Sequence, residues 1–570
     1  METPLKARIV KSSVNMRWVL LLLVFLQFSG SPATCAQPVR ARHAMVVTRE
    51  PHATRAGLDV LRSGGNAVDA AVAVGFALAV THPAAGNLGG GGFLLARFAD
   101  GRTTFIDFRE RAPGAASRNM YLDESGALTR DSLTGYRASG VPGTVAGLEY
   151  AHRKFGAKPW SELLRPSLQL ASDGFPVSYG LAQSLQATKV LSRFPESNRI
   201  FLRDGRYFEP GEILKQPELA RTLERIAREG SKDFYRGETA QLFAKAMKAN
   251  GGTITLEDLR NYKPVERKPL TGAYRGYQIV TAPPPSSGGV GILQMMGVLE
   301  NSGYAKSGPG SAAAIHFVAE AMRRYYADRS EYLADPDFFE VPVSKLLNPR
   351  YIETLRASID PERARPSTEV HPGDLKAYES AETTHYSIVD AEGNAVAVTY
   401  TLNGSYGSGV TLPGLGFLLN NEMDDFSAKP GVPNMFGLIQ GEANAIQPNK
   451  RPLSSMTPTI LLRDGSLYMV VGSPGGSRII TTVLEVILNV VDFGMNIQDA
   501  VNWPRFHHQW QPDKLFVEWR HSPDTKALLQ SRGHQVEDIR SMGEVSAILV
   551  DRGWFEGAAD PRSEGNAEGY

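Results

Sequence analysis

Between residues 383 and 405 the pattern of polar and apolar positions becomes strictly alternating. In TTHYSIVDAEGNAVAVTYTLNGS, His385, Ser387 and Val389 alternate with Tyr386 and Ile388, the period of a strand. A second β-prone run, AVAVTY, covers 395–400, and Ala391-Glu392-Gly393 separate the two. A three-residue hairpin loop commonly ends on a residue with positive φ, and Gly393 stands at that place. Pairing outward from Asp390 opposite Asn394 sets Thr383 opposite Thr401, and a slip of one residue still leaves them side by side.

Other stretches carry their own periods. Residues 43–110 predict a strand at AMVVT, then closely packed helices through ATRAGLDVLRSGGNAVDAAVAVGFALAVTHP, then strands at FLLARF and TTFIDF. Residues 145–260 are charged and mostly helical, without repeats, and 278–291 (QIVTAPPPSSGGVG) predict a strand and a rigid proline-glycine turn. A helix rich in Ala, Met and Arg follows at 311–333. The polar stretch 360–382, broken by Pro361, Pro366, Pro372 and Gly373, reads both as a solvated linker and as an exposed leader to a cleavage point. Past the hairpin, LYMVVGSPGGSRIITTVLEVILNVV (467–491) predicts strand, glycine turn and buried helix. An all-strand start to 383–570 with helices before and after fits an α/β fold of two sheets, covered by helices on both outer faces.

The N-terminus differs in kind. Lys6, Arg8, Lys11 and Arg17 precede VLLLLVFLQF (19–28) and a small-residue stretch ending Thr34-Cys35-Ala36, the pattern of a secretory signal peptide cut after about Ala36. The apolar run is about half of the ~20 residues that a membrane span needs. A retained signal-anchor is the alternative, and Thr34 before Cys35 speaks against a lipoprotein site. Cys35 is the only cysteine, so the mature chain is expected to lack disulfides, thiolate catalysis and cysteine-held metal. Covalent chemistry then falls to Ser, Thr, Lys or a carboxylate. A formal net charge of +1 gives no support to nucleic-acid binding.

Thr383 suits that chemistry. Its hydroxyl adjoins the carbonyl of Glu382; attack there gives an ester whose hydrolysis leaves Thr383 as a new N-terminus. The freed α-amine, with an ordinary pKa of about 7.7–8.0, can serve as base for its own hydroxyl. Thr401 alongside would hold the rotamer. Plain β-propensity also explains a Thr-Thr strand start, so the reading leans on further residues. Gly475-Gly476, in a turn between strand and helix, can present backbone N–H groups to an oxyanion. Arg109 ends a strand where a guanidinium can clamp a carboxylate, while Ser454-Ser455, Glu422 and Asp425 offer donors and acceptors.

Together, DFRERAP, PPPSSGGVG, TTHYSIVD, AVTYTLNGSYGSG, LLNNEMDDFSAKPG, NKRPLSSMTPTI and GSPGGSRIITT resemble the γ-glutamyltranspeptidase family over nearly the whole mature chain. The resemblance implies a secreted or periplasmic N-terminal-nucleophile hydrolase with an αββα four-layer sandwich. It implies a heterodimer made by self-cleavage between Glu382 and Thr383 into a large subunit (37–382) and a small one (383–570). By the same resemblance Thr383 is the nucleophile, Thr401 its helper, and Gly475 and Gly476 line the oxyanion hole. Arg109, Ser454 and Ser455 would hold the α-carboxylate of a γ-glutamyl group; Asn403, Glu422 and Asp425 would hold its α-ammonium. The expected substrates are glutathione and other γ-glutamyl amides, with water, amino acids or peptides as acceptors. No cofactor, metal, nucleic acid or stable membrane insertion is expected. Residues 426–446 match the family's lid loop, but Phe436 stands where a common bacterial form has a tyrosine that bonds the asparagine matching Asn403. A looser lid and more hydrolysis relative to transfer are expected from that change.

Three other features invite over-reading. Gly89 to Gly92 resemble a phosphate loop but lack the Lys-Ser/Thr end and run into a strand, so tight backbone packing is expected instead. His507-His508 look like a metal pair, yet neighbours on a strand point to opposite faces. Asn403-Gly404-Ser405 is formally a glycosylation sequon, but it falls in the expected pocket. Two other functions remain open on the sequence: an acylase of the same architecture acting on glutaryl or β-lactam side-chain amides, and an unprocessed binding protein.

Overall fold

The alternating hairpin becomes the centre of a seven-stranded sheet. Across that sheet run Asn566–Gly569, Met45–Thr48, Thr384–Val389, Ala395–Thr401, Gly91–Arg97, Thr103–Asp107 and Val265–Arg267. A second seven-stranded sheet runs Val39–Ala41, Trp554–Ala559, Ser546–Asp551, Ser466–Gly472, Thr459–Arg463, Tyr277–Thr281 and Leu270–Tyr274. This computed structural model describes residues 36–372, 384–429, 432, 435 and 441–570. The expected leader up to residue 35, Glu382, Thr383 and Phe436 lie outside the described residues.

The period of two sorts each strand of the first sheet between two cores. Tyr386, Ile388, Val396, Val398 and Tyr400 pack outward against a helical layer. That layer includes Pro51–Arg62, Ala67–Thr81 and Trp160–Ser172. Ala67–Thr81 is buried all round, as its nearly uninterrupted small and apolar sequence requires, and Asn66 with Asp69 forms a capping box at its start. Val389, Ala395, Ala397, Phe93 and Leu95 face the other way and share a core with Met469, Val470 and Ile548 of the second sheet. Beyond the second sheet, Gly288–Leu299, Ala312–Tyr332 and Arg478–Val491 form the outer layer of that core. The order is therefore helix, sheet, sheet, helix. Each fully buried Val, Ile or Phe on these faces contributes about 1.5–3 kcal/mol.

Both sheets mix strands from before and after residue 383. A cut at that point would leave two chains that share each sheet. Among the described residues no helix is long and apolar enough to cross a membrane.

One expectation fails. The region after 383 begins with two strands, but the next is Thr459–Arg463; among the described residues between them are turns, isolated bridges and short 3-10 segments at Glu422–Asp425 and Glu442–Asn444. Most of the described residues of this stretch up to Ser427 are buried, and side-chain amides meet backbone groups there in place of a ladder. Asn420 Nδ2 donates to the carbonyls of Gly89 and Gly140 (2.8 Å each), and its Oδ1 accepts from Gly140 (2.9 Å) and Glu422 (3.0 Å) N–H.

Candidate active site

The hairpin has the expected register. Val389 pairs with Ala395 and Thr384 with Tyr400, and Gly393 takes φ 84° behind an Asp390–Asn394 backbone bond of 3.1 Å. Thr401 is buried, and its Oγ1 accepts the Asn403 N–H at 2.8 Å. The glycine run beside it packs as tightly as anticipated: a Cβ on Gly90 would lie 2.0 Å from the Thr401 carbonyl oxygen. Asn87 locks this corner, donating to the Thr401 carbonyl (2.8 Å) and accepting from Gly90 N–H (3.0 Å) and Thr144 Oγ1 (2.6 Å). Asn403 adopts φ 75°, a region asparagine tolerates. Its Nδ2 donates to the Asn421 carbonyl (3.1 Å), and its Oδ1 is buried with no donor among the described residues.

Arg109, Glu422 and Asp425 meet, though not as independent ligand groups. The fully buried guanidinium of Arg109 donates to Glu422 Oε1 and Asp425 Oδ2, and to the carbonyls of Pro452 (3.2 Å) and Leu453 (3.0 Å). Four of its five N–H groups are thus spent on the protein. Glu110, which the sequence did not single out, stands 3.6 Å from Arg109 Nη1. Burial pushes the Glu110 and Asp425 carboxyls well above the usual range, with the nearby charge of Glu422 adding to it and Arg109 opposing it. Burial alone would weaken Arg109 as a cation, but Glu422, Asp425 and Glu110 outweigh it and raise its pKa. Among the described residues, both Glu110 oxygens, Glu422 Oε2 and Asp425 Oδ1 are buried without a donor.

Ser454 and Ser455 are brought to the same place by a loop docked on the proline-glycine turn. The Ser454 carbonyl accepts from Ser287 N–H (2.7 Å) and Oγ (2.8 Å), and Ser454 N–H donates to Pro285 (2.9 Å). Arg329, also missed by sequence reasoning, donates from Nη2 to Ser455 Oγ at 3.2 Å. Burial holds its pKa down at about 10. Asn444 ties the two walls together, donating to the Asp425 carbonyl (2.6 Å) and accepting the Leu453 N–H (3.1 Å). Lys450 Nζ donates to the carbonyls of Ala443 (2.7 Å) and Ala445 (3.1 Å) at the end of the 426–446 loop.

Gly475 and Gly476 lie between the Ser466–Gly472 strand and the Arg478–Val491 helix with φ 130° and 67°, values that side-chain-bearing residues rarely adopt. Their carbonyls accept from Arg478 (3.2 Å) and Ile479 (3.0 Å) at the helix start. Among the described residues neither N–H has an acceptor. A cavity of about 620 Å³ opens beside Gly475 and Ser405, away from the Arg109 cluster. His507 and His508 bond to different groups, His507 to Thr481 Oγ1 (2.9 Å) and Gln509 Oε1 (2.9 Å), His508 to Asp513 Oδ1 (3.3 Å).

Comparison with known proteins adds to this geometry. The family model for gamma-glutamyltranspeptidase matches residues 53–570. The glutathione hydrolase proenzyme of Escherichia coli (strain K12) is 53% identical over 530 residues, covering 92% of this chain and 91% of its own. The cephalosporin acylase of Bacillus halodurans superposes with a TM-score of 0.84 at 26% identity, covering 95% of this chain and 98% of its own. A chain of Helicobacter pylori gamma-glutamyltranspeptidase gives a TM-score of 0.57 at 44% identity, covering 60% of this chain and 97% of its own.

Proposed function

The chain belongs to the gamma-glutamyltranspeptidase family, and from that premise we propose that it matures by cutting itself between Glu382 and Thr383. The product then moves γ-glutamyl groups from glutathione and related amides to water, amino acids or peptides. The observation that carries this reading is the buried charge cluster of Arg109, Glu422 and Asp425, whose unmatched carboxylate oxygens suit an ammonium group. The hairpin register supports it: one more pair beyond Thr384 and Tyr400 would set Thr383 against Thr401. The length match to the H. pylori chain supports the cut, since 60% of this chain is close to the share between an N-terminal leader and Thr383.

In maturation, Thr383 Oγ attacks the Glu382 carbonyl carbon; the peptide C–N bond breaks and an ester and a free α-amine result. Water hydrolyses the ester and releases Glu382 as a carboxylate. In turnover, the α-amine takes the Thr383 hydroxyl proton while Oγ attacks the γ-carbonyl of the donor. The N–H groups of Gly475 and Gly476 hold the oxyanion, a contribution typically worth about 10²–10³ per donor. The proton passes to the departing amine, and water or an acceptor amine then opens the γ-glutamyl ester.

The substrate's α-ammonium would meet Glu422, Asp425 and Asn403, and its α-carboxylate Ser454, Ser455 and Arg109. Because most Arg109 donors already serve protein groups, the serine side carries the larger part of carboxylate recognition. The basic and apolar start of the chain supports export to the periplasm or the medium beyond it.

The likeness to a cephalosporin acylase favours a second reading, an amidase for glutaryl or β-lactam side chains. A glutaryl group has no amine for Glu422 and Asp425 to meet. Intact masses with N-terminal analysis of the smaller fragment test the maturation, and a fragment beginning at Thr383 is expected. Parallel turnover of γ-glutamyl and glutaryl anilides separates the two readings; faster glutaryl cleavage would favour the acylase.

A further inference from the structure

His385 sits on the Thr384–Val389 strand, on the face turned to the second sheet, and is buried. Its Nδ1 lies 2.8 Å from Thr399 Oγ1 and its Nε2 3.1 Å from Ser387 Oγ. Ser387 Oγ lies 3.0 Å from the Ser546 carbonyl oxygen, which can only accept. The single Ser387 proton is therefore spent on Ser546, and toward His385 the hydroxyl accepts. A neutral ring has one N–H, so that proton is on Nε2 and Nδ1 accepts from Thr399. The result is a directed chain from Thr399 through His385 and Ser387 to Ser546, crossing from one sheet to the other. Ser546 Oγ donates back to the His385 carbonyl at 3.3 Å.

The far end of this chain is next to the oxyanion turn. Ser546 pairs with Gly472, the last residue of the strand that leads to Gly475 and Gly476. The imidazole lies flat on Gly472: a Cβ there would be 2.3 Å from His385 Cε1 and 2.4 Å from Nδ1. Gly472 is not in the positive-φ region, so it is the ring, not the backbone, that requires glycine. Burial pushes the ring's pKa down to about 3, so it stays neutral at working pH.

We propose that His385 is a positioning residue that fixes the gap between the nucleophile's strand and the oxyanion turn. It reaches the reacting atoms only through these two elements. The inference rests on the reading of Thr383 as nucleophile, because Thr383 precedes His385 by two residues on the same strand sequence, while Gly475 follows Gly472 by three. Nucleophile and oxyanion donors must meet one carbonyl within about 3 Å, and a misplacement of about 1 Å can lower rate by about 10²-fold.

The test uses the full chain. Wild-type fragment masses come first: an uncut wild type overturns the reading of Thr383, independently of His385. Given a cut wild type, Gly472→Ala and His385→Leu are compared by cutting half-time, kcat, KM and pH–rate profile. The expected result is a roughly 10²-fold loss in kcat, or a comparably longer cutting half-time, with KM for the γ-glutamyl donor within about three-fold. The shape of the pH profile should not change. Wild-type kcat and cutting in both variants would overturn the proposal, as would a pH limb that disappears with His385, which would make the ring a base. The double variant Gly472→Ala with His385→Asn guards against simple misfolding. If the ring sets the gap, the smaller side chain should restore at least ten-fold of the Gly472→Ala loss; no recovery would sink the idea.

Discussion

Around Arg109, four ionisable side chains share a space shut off from water, and four carboxylate oxygens there have no donor among the described residues. Around His385, every ring nitrogen and the hydroxyl beyond it has a partner, and the chain of bonds ends on a backbone carbonyl. The two regions are equally buried. An unmatched buried acceptor costs about 1–3 kcal/mol, more if charged. Under the proposed function, the oxygens of Glu422 and Asp425 among the four suit an incoming ammonium group. A neutral chain satisfied at every link is suited to holding geometry.

The largest expected effect tests the charged side. Asp425→Asn should lower kcat/KM for a γ-glutamyl donor by about 10²–10³, mostly through KM, since truncating one member of a buried charge contact costs about 2–5 kcal/mol. Residual turnover of a glutaryl anilide, which lacks the amine, should change by less than about three-fold. Steady-state kinetics on both substrates check this. Equal losses on the two would make Asp425 part of the scaffold and erase the contrast.

Acid should expose the neutral side. Burial holds His385 and His507 at about 3 and His508 at about 4, against an ordinary 6.5. Depressed values mean that these rings contribute stability above pH 6.5, lost as pH falls through that value toward the folded pKa. Near pH 5 each should cost about 2 kcal/mol relative to pH 7. Denaturant titrations at the two pH values measure it, and His385→Asn should make the pH slope shallower by one proton. A variant with the wild-type slope would mean that His385 is already charged in the fold.

Local pattern made the hairpin, its register and the strand–turn–helix at 467–491 legible in the sequence, because period and turn chemistry act over a few residues. The irregular segments at 402–429 and 441–458 were not legible. Their order comes from Asn420 and Asn444 bonding backbone groups far away in sequence, and no period announces that. Arg109, Glu422, Asp425, Ser454 and Ser455 were identified as a set, but their mutual pairing was not, since charge type alone does not say which partner a guanidinium finds first. Glu110 was hidden beside the more conspicuous Arg109, and Arg329 inside a helix whose sequence reads as ordinary. His385 was visible only as one step in an alternation. Its role needed Gly472 and Ser546, some 90 and 160 residues away in the chain.

The smallest expected effect lies within the charged cluster and concerns Glu110. Burial and Glu422 raise its carboxyl well above the ordinary 4.5 against the opposing Arg109, and it stands farther from the guanidinium than Glu422 and Asp425 do. A glutamine has the same shape and no charge, and Glu110→Gln should leave catalytic efficiency within about two-fold of wild type. Stability gives the sharper readout. A raised pKa means that the proton's contribution is complete below 4.5 and lost as pH rises through the folded value. The glutamine variant loses nothing over that range, so its stability relative to wild type should rise between pH 4 and pH 8. A hundredfold drop in catalytic efficiency, with no such rise, would mean that Glu110 is ionised.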